Sequence, residues 1–463
     1  MAAVRFSVVI PTRERAATLR HALRTCLDQN FDDFEVVVSD NAGSSATRAA
    51  VEEFAGPKVR YFRTPELLAM SSNWDFAVAQ ARGEYVVLIG DDDGLLPHAL
   101  AELDALTRER KARVVRWEPA YYTWPSFALP RESDYLRVPL GRGVRELSGL
   151  DTIRSVIGFR LPYAALPMLY NAAVHRAVLD ELRAKVGRVF PHPVPDVYSG
   201  FAVAAVAGRF LSTDIPMSIS GQSGASNGIA TLFNRGRSAI DREFRDLNAK
   251  EGLLPDPRIP DLPVFPHVPV ADAFAFARRK LFPDEAVDLD RRQFAEGCVA
   301  NLRVVTEEDW REGLRRLRES LADDPATLAW FDAELANRPF PGPLPSRLKP
   351  ARMGFDGEFL HLNAAEFGVT DVTAAAGLCD HILNYRADGV AYRGLLVQEL
   401  RRVNAERQQL IDQLQAECEA RLAVIRDLDA RLREATRGGP LKRAARWVKR
   451  RLTALRVAAM AGR

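Results

Sequence analysis

From Arg5 to Val115 the chain alternates short β-branched runs with stretches whose apolar residues recur at helical spacing, and this alternation restricts its fold most. "RFSVVI", "FEVVVS", "KVRYF", "YVVLIG" and "ARVV" read as strands. Between them, "ERAATLRHALRTCLDQ", "SATRAAVEEFA", "MSSNWDFAVAQA" and "PHALAELDALTRER" read as helices. The series predicts an α/β fold with a doubly wound, mostly parallel sheet and right-handed crossovers. Ligands of such sheets collect beyond the carboxyl ends of the strands, where helix N-termini and loop amides converge. The loops "PTRER", "SDNAGSS" and "GDDDG" all fall at that edge.

The third of these loops holds Asp91, Asp92 and Asp93 in succession. Adjacent carboxylates repel one another, and a divalent cation or solvent relieves the repulsion. An oxygen-only cluster selects a hard ion, Mg²⁺ or Mn²⁺, whose remaining ligands are commonly phosphate oxygens. An EF-hand loop starting at Asp91 would need glycine where Leu96 stands. Neither GxxxxGK[ST] nor GxGxxG follows the first strand, which removes the main support for ATPase and dinucleotide readings. A solvated acidic turn without metal is the remaining alternative.

The formal net charge is +3, yet Arg437 to Arg463 holds nine Lys/Arg and no Asp/Glu, so the rest sums to about −6 (3 − 9). Basicity is confined to the tail, and no nucleic-acid partner is expected. Cys26, Cys298, Cys379 and Cys418 form no CxxC pair, which argues against a zinc site or disulfide framework and fits a reducing compartment. No run approaches the ~18 apolar residues of a membrane span. A cytoplasmic protein is expected.

Residues 1–228 read as one α/β domain, with a nucleotide-binding half at 1–115 and an irregular, aromatic-rich half at 116–228 that has helices near Asn171–Lys185 and Val197–Ala207. Residues 229–270 read as a linker around "LLPDPRIPDLPVFPHVP", and 271–395 as a mostly helical region of unassigned role. Over 396–436 an apolar heptad with Val397, Ile411, Cys418, Ile425 and Leu432 at one position and Leu400, Leu414 and Leu428 at the other, interrupted by Asn404, Arg407 and Arg421, reads as a coiled coil suited to a homo-oligomer, the alternative being a long amphipathic helix packed on its own domain. Residues 437–463 form a basic amphipathic tail, suited either to an anionic membrane surface or to a solvated end.

Taken in order, "FSVVIPTRERAATLRHALRTCLDQNFDDFEVVVSDNAGSSAT", "VRYFRTPE" and "ARGEYVVLIGDDDGLLPHAL" resemble the N-terminal half of family 2 glycosyltransferases, which have the GT-A fold. The resemblance is close from about Arg5 to Leu106 and looser to about Asn227. It implies transfer of a sugar from a nucleotide-sugar donor to a glycan or lipid-linked acceptor hydroxyl, with inversion and a divalent metal. By the same resemblance Pro11, Thr12 and Arg15 line the nucleotide pocket, Asp40 and Asn41 bind the base, and Asn73 lies near the ribose or diphosphate. The family often has two acidic residues where Asp40 and Asn41 stand, so Asn41 departs from the pattern. Asp92 aligns with the metal-binding acid of the DxD-type motif. Gly90 stands where many members have the first aspartate, leaving Asp91 to supply the carboxylate and Asp93 a supporting or ribose-facing place.

The family's general base follows the irregular region at a helix start, and Asp196 in "PHPVPDVYSGFAVAA" is the match. A first-turn acid that merely favours its helix is the alternative for Asp196. The nearby His192 reads either as an alternative proton acceptor or metal ligand or, as is commoner for a His between two prolines, as a loop constraint. "SISGQSGASNG" (Ser218–Gly228) reads as a lid or an ordinary turn. The QxxRW signature of processive members is absent, so transfer of one or few sugars is expected, in surface polysaccharide or glycoconjugate synthesis at the inner membrane face. The competing readings are a nucleotidyltransferase, against which "PTRER" lacks the Gly-rich loop, and an inactive GT-A scaffold acting through its coiled coil and tail.

Overall fold

The computed structural model describes residues 4–127, 129–224, 239–343, 353–384, 412–428 and 430. The chain divides into two units, Met1–Ala387 and Asp388–Arg463. The first carries every element that positions the site.

Strands β1 (Phe6–Thr12), β2 (Phe34–Asp40), β3 (Val59–Arg63) and β4 (Tyr85–Leu88) are the first four expected runs, and β1, β2 and β4 are buried along their whole length. Strands covered on both faces need apolar residues on both, which is why these runs show no polar alternation. Phe6, Val8 and Ile10 of β1 pack with Leu19 and Leu23 of helix α1 (Ala16–Leu27), Val51 of α2 (Ser45–Glu52) and Leu100 and Leu103 of a later helix, Ala99–Arg110. Val9 faces the other way, into the cluster that holds Trp74 and Ala77 of α3 (Met70–Ala79). With Ala99–Arg110 as α4, the helices fall on both faces of the sheet, as a doubly wound fold requires.

The eight-stranded sheet has the order β3-β2-β1-β4-β10-β6-β11-β9, with β6 at Val114–Trp117, β9 at Val144–Ser148, β10 at Ala172–His175 and β11 at Arg209–Thr213. The β1–β2, β2–β3, β1–β4 and β6–β11 pairs are parallel, whereas β10 runs antiparallel to both β4 and β6, and β9 antiparallel to β11. All but β9 and β10 therefore point the same way. The fold is α/β and mostly parallel, and its shared carboxyl edge ends at Thr12, Asp40 and the loop after Leu88.

A second, six-stranded sheet covers that edge in the order β13-β14-β8-β7-β12-β5, with β5 at Gly94–Leu95, β7 at Ala120–Thr123, β8 at Tyr135–Pro139, β12 at Ser218–Gln222, β13 at Gly354–Phe355 and β14 at Phe359–Asn363. The helices expected near 171–185 and 197–207 are α6 (Arg176–Val186) and α7 (Pro195–Ala207), behind α5 (Gly149–Ile157).

Three sequence expectations need correction. The stretch 229–270 is not an extended linker in its described part: Ala239–Lys250 is a helix, and Leu253, Leu262 and Val264 are buried. Apolar residues spaced between prolines dock a chain as readily as they extend it. The α/β domain does not end at 228, since within the mostly helical 271–395 the strands β13 and β14 join the second sheet and the helix Val372–Asn384 packs on α1. Ser218–Gln222 is a strand paired on both sides, not a lid, and 225–228 lies outside the described residues.

In the second unit only 412–428 and 430 of the heptad region are described, with 412–428 helical and Leu414, Val424 and Leu428 exposed. The rest of the heptad and the basic tail 437–463 lie outside the described residues. Among the described residues no helix is long and apolar enough to cross a membrane. Cys26, Cys298 and Cys379 are buried and free, and Cys418 is exposed and free.

Candidate active site

Beyond Leu88 the chain turns at Gly90 and buries all three aspartates, which are only 3%, 4% and 2% exposed. A solvated acidic turn is thereby excluded. Buried carboxylates persist where donors are aimed at them, and here each has its own set. Asp91 Oδ2 accepts from Thr12 Oγ1 at 2.6 Å, and Oδ1 from Arg15 Nη1 at 2.9 Å. Asp92 Oδ2 accepts from the Ser223 amide at 3.1 Å and hydroxyl at 2.7 Å, while Oδ1 stands 4.0 Å from Arg15 Nη1, beyond hydrogen-bond range. Asp93 bridges backbones, accepting from Gly90 N and Gly221 N at 2.7 Å each.

Electrostatics follow from this packing. Burial raises the pKa of Asp92, Arg15 opposes the rise, and repulsion from Asp91 adds to it. Burial and then Asp92 raise that of Asp93. Arg15 is disfavoured by burial as well, but Asp91 and Asp92 outweigh this and hold its guanidinium charged. The site therefore packs three carboxyls, two of them held back from ionising by burial, against the charged Arg15 guanidinium.

Gly90 has a steric cause. A Cβ there would lie 2.4 Å from the Tyr170 hydroxyl and 3.0 Å from Asp93 Oδ2. Tyr170 stacks on Trp74 at 5.6 Å between ring centroids. Burial raises its phenol well above the ordinary range, followed by the charges of Asp93, Asp92, Asp91 and Asp196. One ring thus lies within electrostatic reach of the triplet and of Asp196.

Asp196 occupies the first turn of α7, behind Pro195. Burial raises its pKa, against the pull of the Val197 amide and of His192. A carboxyl held this way is a stronger base than an exposed one once it ionises.

The other expected residues reach the same edge but are engaged by their neighbours. Pro11 lies in β1 opposite Ser39. Asp40, fully buried, accepts from Gly43 N at 2.9 Å and Tyr61 Oη at 2.7 Å. Asn41 uses both ends of its amide on Leu68, donating to its carbonyl and accepting from its N–H, each at 2.9 Å. Asn73 Oδ1 accepts from Ser39 Oγ at 2.7 Å.

Sequence reading missed Tyr170, Trp124, Gly221 and Ser223. Trp124 Nε1 donates to the Asp92 carbonyl at 3.0 Å, and a Cβ on Gly221 would fall 1.8 Å from that oxygen. Tyr170 comes to the triplet from the turn Leu169–Asn171 before β10, whereas the pairing of β7 with β12 brings Trp124, Gly221 and Ser223 there.

Among the described residues no group of three or more His, Cys, Asp or Glu side chains is arranged to hold a metal. A site with only carboxylate oxygens fits a hard cation that takes most of its ligands from a bound phosphate group.

Residues 7–158 match the family model described as glycosyl transferase family 2. That stretch contains the triplet and its partners Thr12 and Arg15. Over 113 residues the chain is 32% identical to the GalNAc(5)-diNAcBac-PP-undecaprenol beta-1,3-glucosyltransferase of Campylobacter jejuni, covering 24% of this chain and 37% of that protein. Over 97 residues it is 34% identical to an uncharacterized protein of Mycobacterium tuberculosis, covering 21% of this chain and 30% of that one. The chain thus spans about a third of the length of these relatives.

Solved structures similar to it include TarS of S. aureus in complex with UDP-GlcNAc, at TM-score 0.40 and 16% identity, covering 70% of this chain and 89% of that one. A mannosyltransferase from Pyrobaculum calidifontis in complex with GDP-Man and Mn²⁺ has TM-score 0.37 and 17% identity, covering 72% and 76%. These likenesses are distant, and the fold assignment stands on the chain's own strand order.

Proposed function

We propose that the protein is an inverting, metal-dependent, non-processive glycosyltransferase that moves a sugar from a nucleotide-sugar donor to an acceptor hydroxyl. The observation that carries this reading is the convergence, inside the family-matched segment, of Thr12, Arg15, Asp91 and Asp92 at one sheet edge.

In this reading Asp92 would hold Mg²⁺ or Mn²⁺, with its other oxygen, Oδ2, bonded to Ser223. Bound there, the ion would supply positive charge to the diphosphate as it leaves. Asp91 fixes Thr12 and Arg15 so that the guanidinium and the strand end face the nucleotide. Asp93 is a support that ties the loop to β12. Pro11, Asp40, Asn41 and Asn73 shape the nucleotide pocket, with Asn41 acting through the Leu68 backbone it holds. Asp196 takes the acceptor's proton as the new bond forms. Direct displacement from the opposite face inverts the anomeric centre.

The Campylobacter relative's printed name carries an undecaprenol-linked saccharide, and a lipid-linked glycan acceptor in surface polysaccharide or glycoconjugate synthesis is proposed here. Self-association through 396–436 and peripheral contact with the inner membrane face through 437–463 would then bring the enzyme to such an acceptor.

The test is release of nucleoside diphosphate from UDP-glucose, UDP-GlcNAc and GDP-mannose, with Mn²⁺ or with EDTA. Metal-dependent release from one donor is expected, abolished in Asp92→Ala together with metal-dependent donor binding. In Asp196→Ala donor binding should persist and turnover fail. Pyrophosphate release would favour a nucleotidyltransferase, and no turnover with any donor would favour a scaffold.

A further inference from the structure

Resting on the reading of Asp196 as the base, we propose that His192 and Asp272 are positioning residues for it. They form a buried strut by which the helix His267–Leu281, outside the family-matched segment, fixes the start of α7.

The strut is continuous. The Val194 amide donates to His192 Nδ1 at 3.1 Å, which leaves the ring proton on Nε2. Nε2 stands 3.1 Å from Asp272 Oδ2, with the two side chains 1% and 8% exposed. The imidazole N–H is not aligned for a hydrogen bond, so the contact is electrostatic. Asp272 Oδ1 accepts from the Asp256 amide at 2.6 Å, and the Asp256 carboxylate in turn holds Arg258 at 2.9 Å and also Arg279. On the other side the His192 carbonyl accepts from Ser71 Oγ of α3 at 2.6 Å.

Val194 is the N-cap residue of α7, and its side chain makes no capping bond. What holds the entry to the helix, two residues before Asp196, is the His192 ring. That ring is itself fixed by stacking on Tyr198 at 6.0 Å and by the edge of Phe276 at 5.7 Å.

Stability alone does not account for this arrangement. The body of α7 is already secured by apolar packing, Phe201 lying 5.6 Å from Phe274 of the same partner helix. Burying an imidazole and a carboxylate carries a desolvation cost that a well-packed apolar pair would avoid. The polar pair gives direction to the loop where an apolar pair would give only adhesion. A proton acceptor needs that direction, because misplacement by about 1 Å costs roughly 10²-fold in rate.

The test uses the full chain and the nucleotide sugar that turns over, comparing Asp272→Asn, His192→Ala and His192→Asn with wild type. Asp272→Asn and His192→Ala are expected to lower kcat about 10-fold or more, with donor KM and calorimetric donor Kd within about twofold. His192→Asn, whose Oδ1 can take the Val194 N–H, should recover part of the loss. Wild-type kcat in Asp272→Asn, or a kcat that falls only in step with donor binding, would overturn the strut. If Asp272→Asn does not fold, Asp272→Glu keeps the charge but displaces the oxygens and is read the same way. Failure of every variant to fold would also count against the proposal, since an ordinary structural contact predicts that. Asp196→Asn separates the two levels: wild-type transfer there removes Asp196 as the base, whereas an inactive Asp196→Asn beside a fully active Asp272→Asn removes only the strut.

Discussion

Gly90 and Tyr170 claim the same volume, and the hydroxyl has it. Replacing Gly90 with alanine must displace either the ring or the loop, at a cost of about 1–3 kcal/mol. In a Tyr170→Phe background that cost should shrink, and a double-mutant cycle by urea unfolding measures the coupling. Strict additivity would show that the hydroxyl is not the obstacle. Restoring the family's aspartate at Gly90 is expected to damage the site. Asp196 carries the pH prediction. Its pKa is raised by burial, so the acid limb of transfer should lie above the ordinary carboxylate range, with rate increasing as pH rises through it. The linkage has the opposite sense for stability. The folded state holds this proton more tightly than the unfolded chain, so stability falls as pH rises from the ordinary carboxyl value through the raised one. Asp196→Asn removes that loss and should melt a few degrees higher than wild type at pH 8 while losing transfer. A lower melting point would assign Asp196 a structural role instead.

Strand β12 shows what elements add to residues. Its Gly221 lies so close to the Asp92 carbonyl that any side chain must push the strand off the triplet. Gly221→Ala should therefore cost about 1–3 kcal/mol and also weaken metal-dependent donor binding, through loss of the Ser223 contacts with Asp92. Retained donor binding in a destabilised variant would separate β12 from the site. The same strand marks where the sequence was legible. β1, β2 and β4 and the helices beside them were readable because strands buried on both faces are largely apolar runs and each helix keeps a regular stripe, and β3 because its β-branched and aromatic residues mark a strand. β12 was not: "SISGQ" is short and polar, and its place comes from pairing with β7 and β5. Asp91 and Asp92 were legible as an acidic loop at a strand end. Their partners Ser223 and Tyr170 were not, because nothing local to those residues records a contact made across the fold. Asn41 illustrates the converse, since its mismatch with the family pattern was visible but its two hydrogen bonds with the Leu68 backbone were not.

For the whole molecule, both sheets, the triplet, Asp196 and the strut all belong to the unit Met1–Ala387. A chain ending at Ala387 is expected to fold and to release nucleoside diphosphate at the wild-type rate. A chain ending at Gly224 should not, because it lacks β14 and the helix that carries Asp272. Circular dichroism and the donor assay on both truncations decide this, and an active shorter form would reduce the C-terminal region to an appendage. Loss of liposome binding or of self-association on cutting at Ala387 would locate those properties in 388–463.

The return of Val372–Asn384 to α1, with His21 Nδ1 3.2 Å from Thr373 Oγ1, closes by non-covalent contact a stretch of chain almost as long as the unit itself. During synthesis the first helix leaves the ribosome long before the helix that covers it, and β8, made later, likewise waits for β14. For most of translation the nascent enzyme therefore presents an uncovered helix face and an unpaired strand edge, the surfaces that chaperones and proteases engage. Pulse-labelled chains should stay protease-sensitive until residues beyond Asn384 have emerged, and then become resistant in a single step.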